Sequence, residues 1–133
     1  MTPYQQKFTK AYAKELLRVA EGDLATAKIL IDNPGGRPEN TLFLVQQTLE
    51  KTFKAVLCHF DLPVPLTHDL GALLGILPDE AGSVPGNRSI VGLTEFASIR
   101  RYEEGSYVYT QAELEQAFRS AAEILRWARK IIV

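Results

Sequence analysis

Three long stretches of the chain place apolar residues three or four positions apart, which is the spacing of one face of an α-helix. The first stretch predicts a helix from Pro3 to Asp32. Its apolar face consists of Phe8, Tyr12, Leu16, Val19, Ala20, Leu24, Ala27 and Ile31. Proline suits a first helical turn, and the Asn-Pro-Gly-Gly segment at 33–36 ends the helix. Gly22 leaves room for a kink, because glycine is unfavourable inside a helix.

The second stretch predicts a helix from Pro38 to about Phe60. Its apolar positions form one seam of a bundle: Leu42, Val45, Leu49, Phe53, Val56 and Phe60. Pro63 and Pro65 lack backbone N–H groups and prevent the helix from continuing. The same helix carries a run of polar side chains, which are Gln46, Gln47, Glu50, Lys51 and Lys54. Such a run is typical of a solvated face, of hydrogen bonds between helices, or of a polar cleft.

The last stretch begins with a capping box, in which Thr110 and Glu113 each bond the other's backbone. One apolar stripe contains Leu114, Ala117, Ala121, Ile124, Ala128 and Ile131, and a second contains Phe118, Leu125 and Ile132. A helix that is apolar on two stripes needs two packing partners. If the bundle covers only one stripe, the other is an exposed patch of the kind that marks an interface, so we predict a symmetric homodimer.

Shorter elements are predicted between the second and last helices. Thr67 is placed to cap a short helix from about His68 to Leu77. A loop at 78–87 follows, and then a fourth helix from Arg88 to Ser98 that buries Ile90, Leu93 and Ala97. No segment predicts a stable strand. We therefore predict an all-α protein, an up-and-down antiparallel four-helix bundle with an additional short helix, in a single domain over residues 1–133.

Composition narrows the class of protein. The chain has 133 residues, of which 46% are hydrophobic and 23% charged, as in an ordinary soluble domain. Its net charge of −1 argues against binding nucleic acid by bulk charge, which needs many unpaired basic residues. The lone cysteine, Cys58, is expected to be a buried thiol. No apolar segment is long enough to span or enter a membrane, so we expect a cytoplasmic protein with no membrane partner.

Motifs for metal and cofactor chemistry are missing from the sequence. The two histidines, His59 and His68, are not preceded three residues earlier by an acid, as a di-iron bundle would require. Phosphate-binding glycine loops and the Gly-x-Ser-x-Gly elbow are also absent. We expect no cofactor and no metal, and we assign no catalytic residue.

Three polar segments in a fixed order resemble the HEPN family (higher eukaryotes and prokaryotes nucleotide-binding domains). The first runs from Gln46 to Ala55, the second is Thr67-His68-Asp69-Leu70, and the third contains Arg101-Tyr102. The resemblance spans residues 8–132 and is to the small stand-alone prokaryotic members. It implies a helical module that binds a nucleotide, RNA or a partner protein. It also implies a minimal nucleotidyltransferase as partner, in a toxin–antitoxin pair.

Many HEPN proteins are metal-independent RNases that use an arginine and a histidine with four to six residues between them. Arginine would stabilise phosphate charge, and histidine would transfer protons near neutral pH. Here the positions after Arg100 and Arg101 where the histidine would fall are occupied by Gly105, Ser106, Tyr107 and Val108. We therefore favour a non-catalytic binding module. The alternative is an RNase toxin with a degenerate active site that lacks the histidine.

The resemblance and the residue chemistry together give a set of candidate binding residues. They are Arg101, Tyr102, Tyr107, Gln46, Glu50 and Lys51. Tyr107 and Tyr109 have the chemistry to stack on a base or to cover a dimer seam. The resemblance also implies that a partner nucleotidyltransferase adds adenylate to a tyrosine, for which Tyr107 and Tyr109 are the candidates. His68 is expected to have a structural role at the start of its helix.

Overall fold

In a computed structural model of the protein, described for residues 5–6, 8–86, 89–97 and 107–133, nearly all regular structure is helical. The α-helices are α1 (Tyr12–Asp32), α2 (Pro38–His59), α3 (Leu70–Gly75) and α4 (Gln111–Ile131). Two 3₁₀ helices span Asp79–Ala81 and Val91–Ala97, and two short strands are β1 (Gln5–Gln6) and β2 (Val64–Pro65). The all-α prediction is confirmed. Among the residues described, no helix has both the length and the apolar composition needed to cross a bilayer.

The long helices form an up-and-down bundle with α2 at its centre, in which α1 runs antiparallel to both α2 and α4. α1 and α2 pack as a hairpin, and α4 lies against both. Gln111 at the start of α4 donates from Nε2 to the Ile31 carbonyl at the end of α1, at 2.6 Å. Near the other end of α4, Arg129 Nε donates to Glu21 Oε1 at 3.0 Å. The predicted up-and-down bundle is thereby confirmed, and α1 continues unbroken through Gly22.

The core lies where α2 meets α1 and α4. The apolar seam predicted for α2 is buried, with Leu49 and Phe53 fully covered. α1 contributes small side chains at Ala20 and Ala27, both of which are fully buried. The Phe53 ring meets the edge of Trp127 on α4 at 6.5 Å between centroids. Cys58 is buried as predicted, and desolvation raises the pKa of its thiol.

The start of α1 differs from the prediction. The helix begins at Tyr12 rather than Pro3, and Gln5–Gln6 pairs antiparallel with Val64–Pro65. The expectation that no strand forms was therefore also wrong. Two consecutive glutamines offer no apolar stripe to the bundle, so backbone pairing decides their conformation. The chain then turns, with Tyr12 N bonded to Thr9 O at 2.9 Å, before the apolar periodicity takes over.

The short helix α3 is capped by a different residue from the one predicted. Asp69, not Thr67, is the N-cap, and its Oδ1 accepts from the backbone N–H groups of Gly71 and Ala72 at 2.9 and 3.2 Å. Thr67 Oγ1 instead accepts from the backbone N–H of Asp69 at 3.1 Å, which lies before the helix begins. The helix is accordingly shorter than the predicted span. An aspartate at this position satisfies two free N–H groups at once, which a threonine two residues back does not reach.

The predicted fourth α-helix is a 3₁₀ helix over Val91–Ala97; Arg88 and Ser98 lie outside the described residues. Ile90 and Phe96 are buried and Leu93 is half-buried. Their spacing of three residues explains the outcome, because side chains three apart line up in a 3₁₀ helix. The segment packs on α2 and α3.

In α4 the predicted capping box is confirmed, whereas the exposed apolar stripe expected from its sequence is not found. Thr110 Oγ1 accepts from Glu113 N at 3.1 Å, and Glu113 Oε1 accepts from Thr110 N at 3.0 Å. The second apolar stripe packs within the same chain, with Leu125 and Ile132 buried and Phe118 half-buried against the core. That stripe therefore provides no exposed patch for dimerisation, and the homodimer stays a prediction that needs another surface.

Candidate functional site

A buried polar network in the middle of α2 contains two of the candidate residues. Glu50, only 5% exposed, accepts from Gln46 Nε2 at 3.1 Å and from Lys54 Nζ at 3.0 Å. His68 Nδ1 lies 2.8 Å from Glu50 Oε1 and donates when that nitrogen carries the proton. Gln46 Nε2 also donates to the His68 carbonyl at 3.1 Å. The network therefore joins α2 to the segment before α3.

The electrostatics of Glu50 follow from this network. Burial alone would raise the pKa of its carboxyl, since a charge is poorly solvated inside a protein. The hydrogen bonds from His68, Lys54 and Gln46, with the positive charge of Lys54, outweigh burial and hold the pKa of Glu50 below its ordinary value. Glu50 is thus a carboxylate whose oxygens are already used by neighbouring side chains.

Lys51 belongs to a different contact. Its Nζ donates to Asp23 Oδ2 on α1 at 2.6 Å, and both side chains are about three-quarters buried. Consecutive helical positions differ by about 100°, so Lys51 lies on another side of α2 from Glu50. The structure brings Gln46 and Glu50 together and places Lys51 apart from them. Arg101 and Tyr102 lie outside the described residues.

The remaining candidates line a groove at the opposite end of the bundle from β2. One wall is the loop and first turn at Gly35–Glu39, between α1 and α2, and the other is Tyr107–Tyr109, just before α4. We call this the tyrosine groove. Its outer part has a volume of about 410 Å³, and its inner part, about 250 Å³, reaches Leu30, Thr41 and Leu114.

The two tyrosines of the groove differ in exposure and in their contacts. Their rings meet edge-on at 4.9 Å between centroids, and Tyr109 also meets Phe96 at 5.6 Å. Tyr109 is half-buried between these neighbours, whereas Tyr107 is 55% exposed. Tyr107 Oη donates to Glu113 Oε2 at 2.7 Å, a bond that raises the pKa of the phenol. The pKa of Glu113 is lowered, mainly by the hydrogen bond from the backbone N–H of Thr110 and next by the hydrogen bond from Tyr107.

The opposite wall contains residues that sequence analysis missed. Gly35 adopts φ +142°, a region that favours glycine, and this turns the chain from α1 into α2. Arg37 precedes α2, with Nε at 4.0 Å from Oε1 of Glu39 in the first helical turn. Glu39 is only 9% exposed although it is charged. The sequence signal that could have identified Arg37 and Glu39 is a charged pair directly after a glycine turn. Loops held by rigid helices often carry binding residues.

Comparison with known proteins identifies the family. The model of the HEPN domain matches residues 13–131, which is most of the chain. The chain belongs to the HEPN family. The crystal structure of an archaeal HEPN homologue is similar, with a TM-score of 0.69 and 25% sequence identity, over 91% of this chain and 98% of that one. Among proteins of curated function, none matches.

Both histidines of this HEPN protein are far from the tyrosine groove. His59 ends α2, whose 22 residues place it about 30 Å from Pro38 at the groove. Burial, and then the charge of Lys10, lower the pKa of His59. His68 contacts Glu50, which is about 18 Å along α2 from the same point. Neither imidazole can reach the groove within one chain.

Proposed function

We propose that this HEPN protein is a non-catalytic module that binds a nucleotide unit in the tyrosine groove, either as a free nucleotide or within single-stranded RNA. The half-exposed ring of Tyr107, at the edge of an open groove, is the observation that carries the proposal. Aromatic side chains bind bases by stacking, which contributes about 1–3 kcal/mol per base.

The shape of the groove supports a small planar ligand. The inner part is bordered by Leu30, Leu114 and the glycines at 35 and 36, so its floor is largely apolar. Cavities of a few hundred Å³ with an apolar floor and a few polar groups are typical of ligand sites. The first turns of α2 and α4 also border the groove, and the positive ends of helices favour phosphate groups.

The alternative of a degenerate RNase is less well supported by the described residues. A general base must be within hydrogen-bond reach of the substrate and must lose its proton near neutral pH. The two histidines lie far from the groove, and Tyr107 has a raised pKa and keeps its proton. Binding without cleavage is the chemistry that these side chains support.

Partner proteins remain part of the proposal. Should a minimal nucleotidyltransferase add adenylate to this chain, Tyr107 is the better acceptor of the two tyrosines. Its phenol is at the groove surface, whereas Tyr109 is half-buried between Tyr107 and Phe96. Mass spectrometry of the protein incubated with such an enzyme and ATP would locate the added group.

Binding is tested by titrating the full chain with the four nucleoside monophosphates and with short single-stranded RNAs, by calorimetry. We expect Tyr107→Ala to weaken binding about tenfold, since it removes the stacking ring. Tyr12→Ala is the matched control, because Tyr12 is similarly exposed but lies at the far end of α1. If wild type binds none of these ligands, or if both variants bind equally well, the proposed function is wrong.

A further inference from the structure

Glu39 has a buried carboxylate with unused hydrogen-bonding capacity. The side chain is 11% exposed and lies in the wall of the tyrosine groove. Its Oε1 is 4.0 Å from Arg37 Nε, which is close enough for charge attraction but too long for a hydrogen bond. Within the described residues, no hydrogen bond is made to this carboxylate.

Glu39 lines the groove, and its carboxylate oxygens are not fully buried. In the described part of the chain, every polar side-chain atom that is fully buried has a hydrogen-bond partner. An oxygen without a partner is therefore at least partly accessible, and the groove that Glu39 lines is the cavity from which a ligand would reach it. Burying a charge without hydrogen bonds is costly, so a ligand that donates to both oxygens would be bound with a clear gain.

The hydrogen-bonding pattern of a carboxylate distinguishes the four bases. An ionised carboxylate has two acceptor oxygens and no donor. Guanine presents two adjacent donors on its Watson–Crick edge, the N1–H and the N2 amino group. Adenine, cytosine and uracil each place an acceptor beside their donor, and that acceptor would face a carboxylate oxygen with like charge. The Glu39 side chain therefore matches guanine and repels the other bases.

We propose that Glu39 selects a guanine base in the tyrosine groove, an inference that rests on the proposed nucleotide-binding function. Tyr107 stands on the wall opposite Glu39, so a base stacked on its ring can direct one edge towards the carboxylate. Arg37 compensates the charge of Glu39 without occupying its oxygens. The ligand is a guanosine 5′-phosphate unit, free or within RNA.

Base selection is tested by titrating the full chain with guanosine, inosine and adenosine monophosphates. Guanosine monophosphate should bind at least about tenfold more tightly than adenosine monophosphate, with inosine monophosphate between them because it lacks the N2 amino group. Titration with single-stranded uridine pentamers that carry a central guanosine or adenosine shows whether the bound guanosine unit belongs to RNA or to a free nucleotide. Tighter binding of the guanosine pentamer than of the free nucleotide would identify RNA.

Variants of Glu39 complete the test. Glu39→Gln replaces one acceptor by a donor, so it should lose the guanine preference and gain affinity for xanthosine monophosphate, whose C2 oxygen accepts. Glu39→Asp keeps both acceptors and should retain the preference at lower affinity. Glu123→Gln, on an exposed position of α4, should change nothing.

The outcomes separate this inference from the function on which it rests. Equal binding of all nucleotides by wild type, or an unchanged preference in Glu39→Gln, would overturn the role of Glu39 and leave the groove as a binding site. An absence of binding to every nucleotide and RNA would overturn both proposals.

Discussion

At the scale of single residues, Glu50 connects the first two sequence segments that resemble the HEPN family. Its carboxylate holds Gln46 and Lys54 within α2 and contacts His68 in the segment before α3. Sequence analysis left open whether these polar residues face solvent, a cleft or another element. The structure shows hydrogen bonding between elements for Gln46 and Glu50, while any ligand-binding role for them stays a prediction.

We expect Glu50→Ala to lower the free energy of unfolding by about 2–3 kcal/mol, because it removes charge-assisted hydrogen bonds from a buried position. Urea unfolding at neutral pH measures this change. Glu123→Ala, at an exposed position on α4, is the control and should change stability by less than about 0.5 kcal/mol. Equal stability of the two variants would contradict the structural role of Glu50.

The stabilisation from Glu50 should depend on pH. The folded protein holds the pKa of Glu50 below its ordinary value of 4.5, so the unfolded chain takes up this proton first as the pH falls. The contribution is complete above the unfolded value and is lost as the pH falls through the folded value. The stability difference between wild type and Glu50→Gln should therefore shrink below 4.5. A difference that grows on acidification would reverse the sign of the argument.

At the scale of secondary-structure elements, α3 shows how a cap fixes the start of a short helix. Asp69→Ala should destabilise the protein by about 1 kcal/mol, because Asp69 satisfies two free N–H groups of the first turn. Thr67→Ala should cost less, since Thr67 bonds only the N–H of Asp69. Thermal unfolding of both variants measures the order. A larger loss of stability in Thr67→Ala than in Asp69→Ala would support Thr67 as the N-cap, as the sequence predicted.

Sequence periodicity located the elements whose apolar spacing and end signals agree. α2 begins at Pro38 as predicted and ends one residue before Phe60, and the capping box set the start of α4. Periodicity failed where two structures share a pattern. The spacing of Ile90, Leu93 and Phe96 fits one face of an α-helix and also a 3₁₀ helix, and only packing against α2 and α3 decides between them.

The candidate site was less predictable than the fold, for a physical reason. Tyr107 and Tyr109 were identified because exposed aromatic residues are distinctive in a sequence. Glu39 was not, because a glutamate in a first helical turn is ordinarily exposed and stabilises the helix dipole. Its burial, at 9% exposed, arises only in the folded chain, so no local pattern reveals it.

At the scale of the whole molecule, the groove end of the bundle carries one of the most exposed apolar side chains of the described residues. Val108, 83% exposed, lies between the two groove tyrosines in sequence. If the protein is a homodimer, this segment is the surface we expect at the seam. Sedimentation should then show a species of twice 14.8 kDa, and Val108→Asp should convert it to monomer.

Val19→Asp is the control for that substitution, because Val19 is an exposed valine on α1 outside the tyrosine groove. It should leave the dimer intact. A wild-type protein that sediments only at 14.8 kDa, or a dimer that Val19→Asp disrupts as strongly as Val108→Asp, would contradict this interface.

The most direct test of nucleotide binding in the tyrosine groove is a backbone amide NMR titration of the full chain with guanosine monophosphate. We predict that chemical-shift changes cluster at Gly35–Glu39 and at Tyr107–Gln111, the two walls of the groove and the start of α4. Shift changes centred instead on Glu50 and His68, or an unchanged spectrum with every nucleotide at saturating concentration, would contradict the account.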